Sequence, residues 1–211
     1  MKKIPTLFER TFKNHKVIDI SDTVTPGCEW VLDGEGIATV KHDGACCAII
    51  NGELYKRYDA KKGKTPPAGA VPCCDPDPVT GHWPHWDKCE RDNPSDKWFF
   101  LAYDNTFGLV ASIDGTFEAV GPHFQGNPEN YDEDMLLRHG ADIISEEELG
   151  DRDYYDIMKY LYAHNVEGIV FWKDGEPGCK IKRSDFNYSW PVKQEYMPPW
   201  RSLGKEGQGW Q

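Results

Sequence analysis

The stretch Gly36–Asp59, "GIATVKHDGACCAIINGELYKRYD", decides how this chain is read. Residues 36–50 alternate around an apolar core, Asn51-Gly52 is a two-residue hairpin signal, and Glu53–Asp59 should return antiparallel. One residue does not fit that hairpin. Lys41 ends an apolar run and is followed by Asp43 and Gly44. Strand side chains alternate, so Ile37, Thr39 and Lys41 share a face and the ammonium projects from one side of the sheet. An ammonium in a concave, partly desolvated site is a candidate nucleophile once its pKa falls from about 10.4. Burial and neighbouring cations lower it and a carboxylate raises it, so Asp43 alone does not activate Lys41.

Outward from this stretch the elements are mixed. "KRYDAKKGKTPPAG" is basic and rich in Gly and Pro, holding Lys56, Arg57, Lys61, Lys62 and Lys64. Residues 65–96 carry many prolines and few periodic signals and read as a long ordered loop. "WFFLAYDN" (98–105) and "GTFEAVG" (115–121) read as strands. Ser145 followed by Glu148 forms a capping box, Gly150 stops that helix, and "YYDIMKYLYAHN" makes a second one. "VEGIVFW" (166–172) is a strand that turns at Asp174-Gly175 and returns through "CKIKR" (179–183), where Lys180 and Lys182 share a face opposite Ile181. Glu167 would then approach one or both of these lysines, with the register open. Strands come early and late with helices between them, which predicts an α+β domain of antiparallel sheets. The domain is expected over 1–190, with a tail over 191–211.

Composition excludes several classes. The chain has 211 residues, 39% hydrophobic and 28% charged, as expected of a globular domain rather than a disordered one. The net charge of -11 argues against non-specific coating of nucleic acid, though not against a local basic groove. No run approaches the roughly 20 apolar residues of a membrane span. The N-terminus shows no signal peptide, and seven cysteines, an odd number, suit a reducing cytoplasm. "CCDPDPVTGHWPHWDKC" offers Cys73, Cys74, His82, His85 and Cys89 as zinc ligands, but lacks paired C-x-x-C spacing. A loop pinned by prolines and tryptophans is the favoured reading there, with Trp83 and Trp86 covering the core before they stack on bases.

"KHDG" at 41–44, "FEAVG" at 117–121, "EGIVFW" at 167–172 and "KIKR" at 180–183 stand in the order of the motifs of covalent nucleotidyltransferases, the ATP-dependent polynucleotide ligases and mRNA capping enzymes. K-x-D-G alone is a weak signal; four motifs in order are a strong one. The chain most resembles the small 5′-to-3′ RNA ligases of the vertebrate type, also through "DPDPVTGHWP" and "AVGPHFQGNP". The resemblance spans roughly 38–183. It implies a nucleotidyltransferase (ATP-grasp-like ligase adenylation) domain, an ATP-dependent RNA ligase activity through a lysyl-AMP intermediate, and magnesium or manganese as metal.

By position, the resemblance makes Lys41 the nucleophile on the α-phosphate of ATP, with Asp43 and Gly44 shaping the loop under the nucleotide. Arg57 would contact the nucleotide or the RNA 5′-phosphate, and Glu118 the ribose hydroxyls. Glu167 would bind the metal, and Lys180 and Lys182 would hold the α-phosphate. Phe124, or else Phe171, would stack on adenine. The substrate would be RNA with 5′-phosphate and 3′-hydroxyl ends, with no membrane and no obligate protein partner. Only 28 residues follow Arg183, too few for the OB-fold domain that larger relatives carry, which leaves Arg10, Lys13 and the 56–64 cluster as candidates to orient pyrophosphate. Two alternatives remain: a DNA ligase or other covalent nucleotidyltransferase, and a non-catalytic zinc-containing RNA-binding module built on 73–89 and 56–64.

Overall fold

A computed structural model describes residues 3–14, 16–61, 63–108 and 112–192. The strands, in chain order, are β1 (Phe8–Lys13), β2 (Lys16–Val24), β3 (Ile37–Lys41), β4 (Ala45–Ile50), β5 (Glu53–Ala60), β6 (Val71–Pro72), β7 (Trp83–Lys88), β8 (Gly115–Val120), β9 (Met135–Arg138), β10 (Ile143–Ile144), β11 (Gly168–Lys173) and β12 (Glu176–Lys182). The helices are α1 (Lys97–Phe107), α2 (Glu146–Leu149) and α3 (Tyr154–Ala163). The strands form a β1-β2 ribbon, a four-stranded sheet in the order β10-β3-β11-β12 and a six-stranded sheet in the order β6-β7-β5-β4-β8-β9, and the paired strands run antiparallel. The molecule is α+β, with antiparallel sheets and few helices. No helix among the described residues is long and apolar enough to cross a membrane.

The stretch 36–59 does not stay in one sheet. The expected hairpin is β4-β5, with Asn51 and Gly52 both at positive φ as a tight turn requires. β3 belongs to the other sheet, between β10 and β11. The chain therefore changes sheets within His42-Asp43-Gly44, directly after Lys41. Gly44 is needed there for proximity: a Cβ would lie 2.1 Å from the Ala119 carbonyl oxygen on β8.

Each sheet has its own core. Leu7, Phe8, Val31, Ile169, Phe171 and Ile181 pack with Ile157 and Leu161 of α3 against the four-stranded sheet. Burying each such side chain contributes about 1.5–3 kcal/mol. Asp153 caps α3 by accepting from the Asp156 N–H at 2.8 Å, and Ser145 with Glu148 closes the expected capping box on α2. On the six-stranded sheet, Cys47, Ile49, Phe117 and Leu136 pack under α1.

Two sequence expectations fail here. The 98–105 run is α1, not a strand. Its aromatics suggest a strand, but Phe99, Ala102, Tyr103 and Phe107 recur at helical spacing and meet the core. The 65–96 loop contains β6 and β7. Pro84 disguises β7, which nonetheless pairs with β5 from Tyr55↔Lys88 to Ala60↔Trp83. Of the expected tail, residues 193–211 lie outside the described residues.

Candidate active site

The switch of sheets after Lys41 opens a cavity of about 290 Å³ between the two sheets. Its floor on one side is Thr39 and Lys41 of β3, Val170 and Trp172 of β11, and Lys180 and Lys182 of β12. Opposite lie Cys46 of β4, Arg57 of β5, Glu118 of β8 and His139 just beyond β9.

Register explains the cationic side. Gly168 pairs with Lys41 on one neighbour and with Lys182 on the other, so the two lysines flank a residue without a side chain. A Cβ on Gly168 would lie 2.2 Å from the Ile181 carbonyl oxygen. Glu167 occupies the bend before β11 and is 6% exposed. Its Oε2 accepts from Lys41 Nζ and its Oε1 from Lys182 Nζ. Thus one buried carboxylate ties the end of β3 to the end of β12. Lys180 lies one row along, across from Val170, and takes no share of that carboxylate in a direct ion pair among the described contacts. Burial, followed by Lys182, Lys41 and Arg10, pushes its pKa down to about 8. Arg10, on β1, is held at 2.6 Å by Asp185, whose Oδ2 also accepts the Lys182 N–H at 2.8 Å.

On the opposite wall, Cys46 pairs across strands with Glu118. Glu118 Oε1 accepts from the Gly44 N–H at 3.1 Å and Oε2 meets His139 Nε2 at 3.0 Å. Arg57 touches the Cys46 thiol and donates from Nε to Asp59 at 2.7 Å. Burial, then the Glu118 charge, pushes the thiol up to about 12, with Arg57 opposing. The Lys41–Gly44 turn is itself clamped. Glu129 accepts the Asp43 N–H at 3.0 Å and meets His42 Nδ1 at 2.8 Å, and the Trp190 indole N–H donates to Asp43 Oδ2 at 2.7 Å.

The structure therefore brings together Lys41, Arg57, Glu118, Lys180 and Lys182 around one cavity, with Glu167 behind two of its lysines. Asp43 and Gly44 form its rim through backbone and turn contacts. Phe124 and Phe171 do not join them. Phe124 is 5% exposed in the core under α1, and Phe171 is fully buried in the other core, opposite Ala38. Alternation decides this: Val170 and Trp172 face the cavity, so Phe171 faces inward. The aromatic groups on the cavity wall include Trp172 and His139. The ring of His139, and the clamp of Glu129 and Trp190, carried no motif signal. Trp172 was legible from the same alternation.

The zinc cluster expected as an alternative over 73–89 does not assemble among the described residues. Cys89 is buried in the core and His85 Nδ1 is spent on the Trp83 carbonyl at 2.9 Å. The donor atoms that converge are instead those of Cys46, Glu118 and His139, all within 4.8 Å of one another.

No family model matches the chain, and no curated protein matches it.

Proposed function

We propose that the chain is an ATP-dependent RNA ligase of the covalent nucleotidyltransferase kind. One observation carries the reading: side chains from all four ordered motifs, widely separated in sequence, surround one cavity or stand directly behind it. Lys41 ends its strand at a cavity lined by four lysines, Lys3, Lys41, Lys180 and Lys182, and two arginines, Arg57 and Arg138, a setting for a polyphosphate.

In this reading the Lys41 amine attacks the α-phosphorus of ATP. A P–N bond forms, the bond to the bridging oxygen breaks, and pyrophosphate leaves. Glu167, already in contact with Lys41, orients the amine and is placed to take its proton. Lys180 and Lys182 offset charge on the α-phosphate oxygens. Glu118 is oriented by the Gly44 N–H and by His139 to accept from ribose hydroxyls. Trp172 and Val170, on the same face of β11, form the apolar wall for the base. Glu167 would hold magnesium or manganese by exchanging one of its two lysine contacts for the cation, which when bound would supply further positive charge to the polyphosphate. The adenylyl group then passes to an RNA 5′-phosphate, and a 3′-hydroxyl displaces AMP to seal the strand. Cys28, Cys47, Cys89 and Cys179 are buried free thiols, which suits a reducing compartment such as the cytoplasm.

The test is incubation with ATP labelled at the α-phosphate, followed by denaturing electrophoresis. Label is expected on the wild-type chain and absent from Lys41→Ala. A chain that never takes label overturns the reading. Nicked RNA, nicked DNA and hybrid duplexes then decide between RNA ligase and the other covalent nucleotidyltransferases.

A further inference from the structure

The wall opposite the lysines contains a donor set that the ligase reading leaves incompletely used. Cys46 Sγ, a Glu118 oxygen and a His139 ring nitrogen lie within 4.8 Å of one another and face one cavity. All three side chains are partly buried, and they come from β4, β8 and the residue after β9, adjacent elements of one sheet. The sheet sets the spacing of Cys46 and Glu118, and His139 sits in the turn after β9, its N–H donating to the Thr116 carbonyl at 3.1 Å.

We propose that Cys46, Glu118 and His139 bind a thiophilic divalent cation, zinc or cobalt, and that a cation held there closes the nucleotide cavity. The second half rests on the ligase reading; the first does not.

The spacing fits. Two ligand atoms each about 2.0–2.2 Å from zinc, at a near-tetrahedral angle, stand roughly 3.3 Å apart. Glu118 Oε2 and His139 Nε2 are 3.0 Å apart. The Glu118 carboxylate is pre-oriented, because its other oxygen is fixed by the Gly44 N–H at 3.1 Å, the kind of outer contact that aims a metal ligand. His139 lacks an outer contact of that kind: its Nδ1, the ring nitrogen other than the one that meets Glu118, is buried with no hydrogen-bond partner among the described residues. Three protein ligands opening onto a cavity leave a fourth position for water.

The donor types select the cation. Magnesium takes oxygen and gains nothing from a thiol, whereas zinc and cobalt favour sulfur and imidazole. On binding, the sulfur–metal bond forms and the thiol proton passes to solvent. Arg57, Lys41, Lys180 and Lys182 share the cavity and repel a second cation, which makes the site weaker than a closed structural zinc site and therefore reversible. In the ligase reading Glu118 serves the ribose, so metal and nucleotide compete for the same carboxylate.

Cobalt(II) titration of the full chain tests the site, read by the thiolate-to-cobalt charge-transfer band in the near ultraviolet. One equivalent is expected to raise the band. Cys46→Ser should abolish it and His139→Asn should weaken binding at least tenfold, while Cys73→Ser/Cys74→Ser should keep it. Thermal melting checks that each variant is folded, and His139→Asn stands in if Cys46→Ser is not. No band in the wild-type chain, or a band that survives Cys46→Ser, overturns the site. The adenylylated protein, freed of ATP, should bind cobalt at least tenfold more weakly than the unmodified chain; equal binding overturns the competition. If the chain never takes label, the ligase reading falls, and the band in the unmodified chain still decides the metal site.

Discussion

The Lys41 ammonium at the end of β3 and the Glu167 carboxylate in the bend before β11 meet although 126 positions separate them in sequence. Glu167 gives its other oxygen to Lys182. The pair therefore locks the candidate nucleophile to the strand that carries Lys180 and Lys182, and it keeps two partly buried ammonium groups from facing each other unscreened.

Glu167→Gln is the direct test of that lock. Lys41 is 23% exposed and Lys182 31%, so the loss of their shared countercharge should cost about 1–3 kcal/mol, between the exposed and fully buried limits. Adenylylation should fall by at least about 100-fold, because the group that orients the amine is gone. A melting curve and the label-transfer rate together check this. Unchanged label transfer would remove Glu167 from the chemistry.

Gly44 makes a separate prediction about the turn. An added methyl would lie 2.1 Å from the Ala119 carbonyl oxygen, so β4 and β8 must separate at the point where Cys46 pairs with Glu118. Gly44→Ala should lower the urea midpoint by an amount equivalent to about 1–3 kcal/mol and abolish labelling. A fully stable Gly44→Ala chain would show that the close approach is not maintained in solution.

Much of this arrangement is legible in the sequence. The face shared by Lys180 and Lys182, the Asn51-Gly52 and Asp174-Gly175 turns, and the Ser145 capping box all follow from local rules that act over a few residues. What was not readable is which sheet a strand joins. Alternation in 36–50 is the same whether β3 and β4 lie side by side or in different sheets, and only the long-range pairing of β3 with β11 settles it. The aromatic run at 98–105 misled because aromatic residues favour strands in general, whereas its spacing was helical. Phe124 and Phe171 misled because a motif marks a neighbourhood, not a direction. The clamp of Glu129 on His42 and Asp43 spans more than 80 positions and leaves no local trace.

Trp172 carries the next prediction. Its indole N–H donates to Thr39 Oγ1 at 2.9 Å, which fixes the ring plane, and the ring lies against the position a Gly140 side chain would occupy. A fixed aromatic on the cavity wall is the candidate platform for the base. Trp172→Ala should weaken nucleotide binding by about 1–3 kcal/mol, roughly 5- to 150-fold in Kd, with Trp172→Phe between it and wild type. Phe171→Leu, which alters only the core, should leave nucleotide affinity within threefold. Equal affinity in Trp172→Ala would assign the base to another wall.

Lys180 sets the pH dependence. Burial comes first, then the cations Lys182, Lys41 and Arg10, against a raising contribution from Glu167, and together they hold its pKa at about 8, below the ordinary value of 10.5. Between these two values the unfolded chain binds more protons at this position than the folded one. Stability from Lys180 therefore rises as pH climbs from about 8 to 10.5, and below about 8 the full penalty of a buried ammonium is present. Lys180→Met should be more stable than wild type at pH 7, with the advantage shrinking across that window. Nucleotide binding should run the opposite way. A triphosphate beside Lys180 favours its charged form, so affinity should fall as pH rises above about 8, and binding near that pH should take up a proton. Calorimetry in two buffers of different ionisation heat reads the proton directly. Lys180→Arg keeps its charge throughout and should flatten both the uptake and the fall in affinity. If the uptake persists in Lys180→Arg, the titrating group is another member of the cavity.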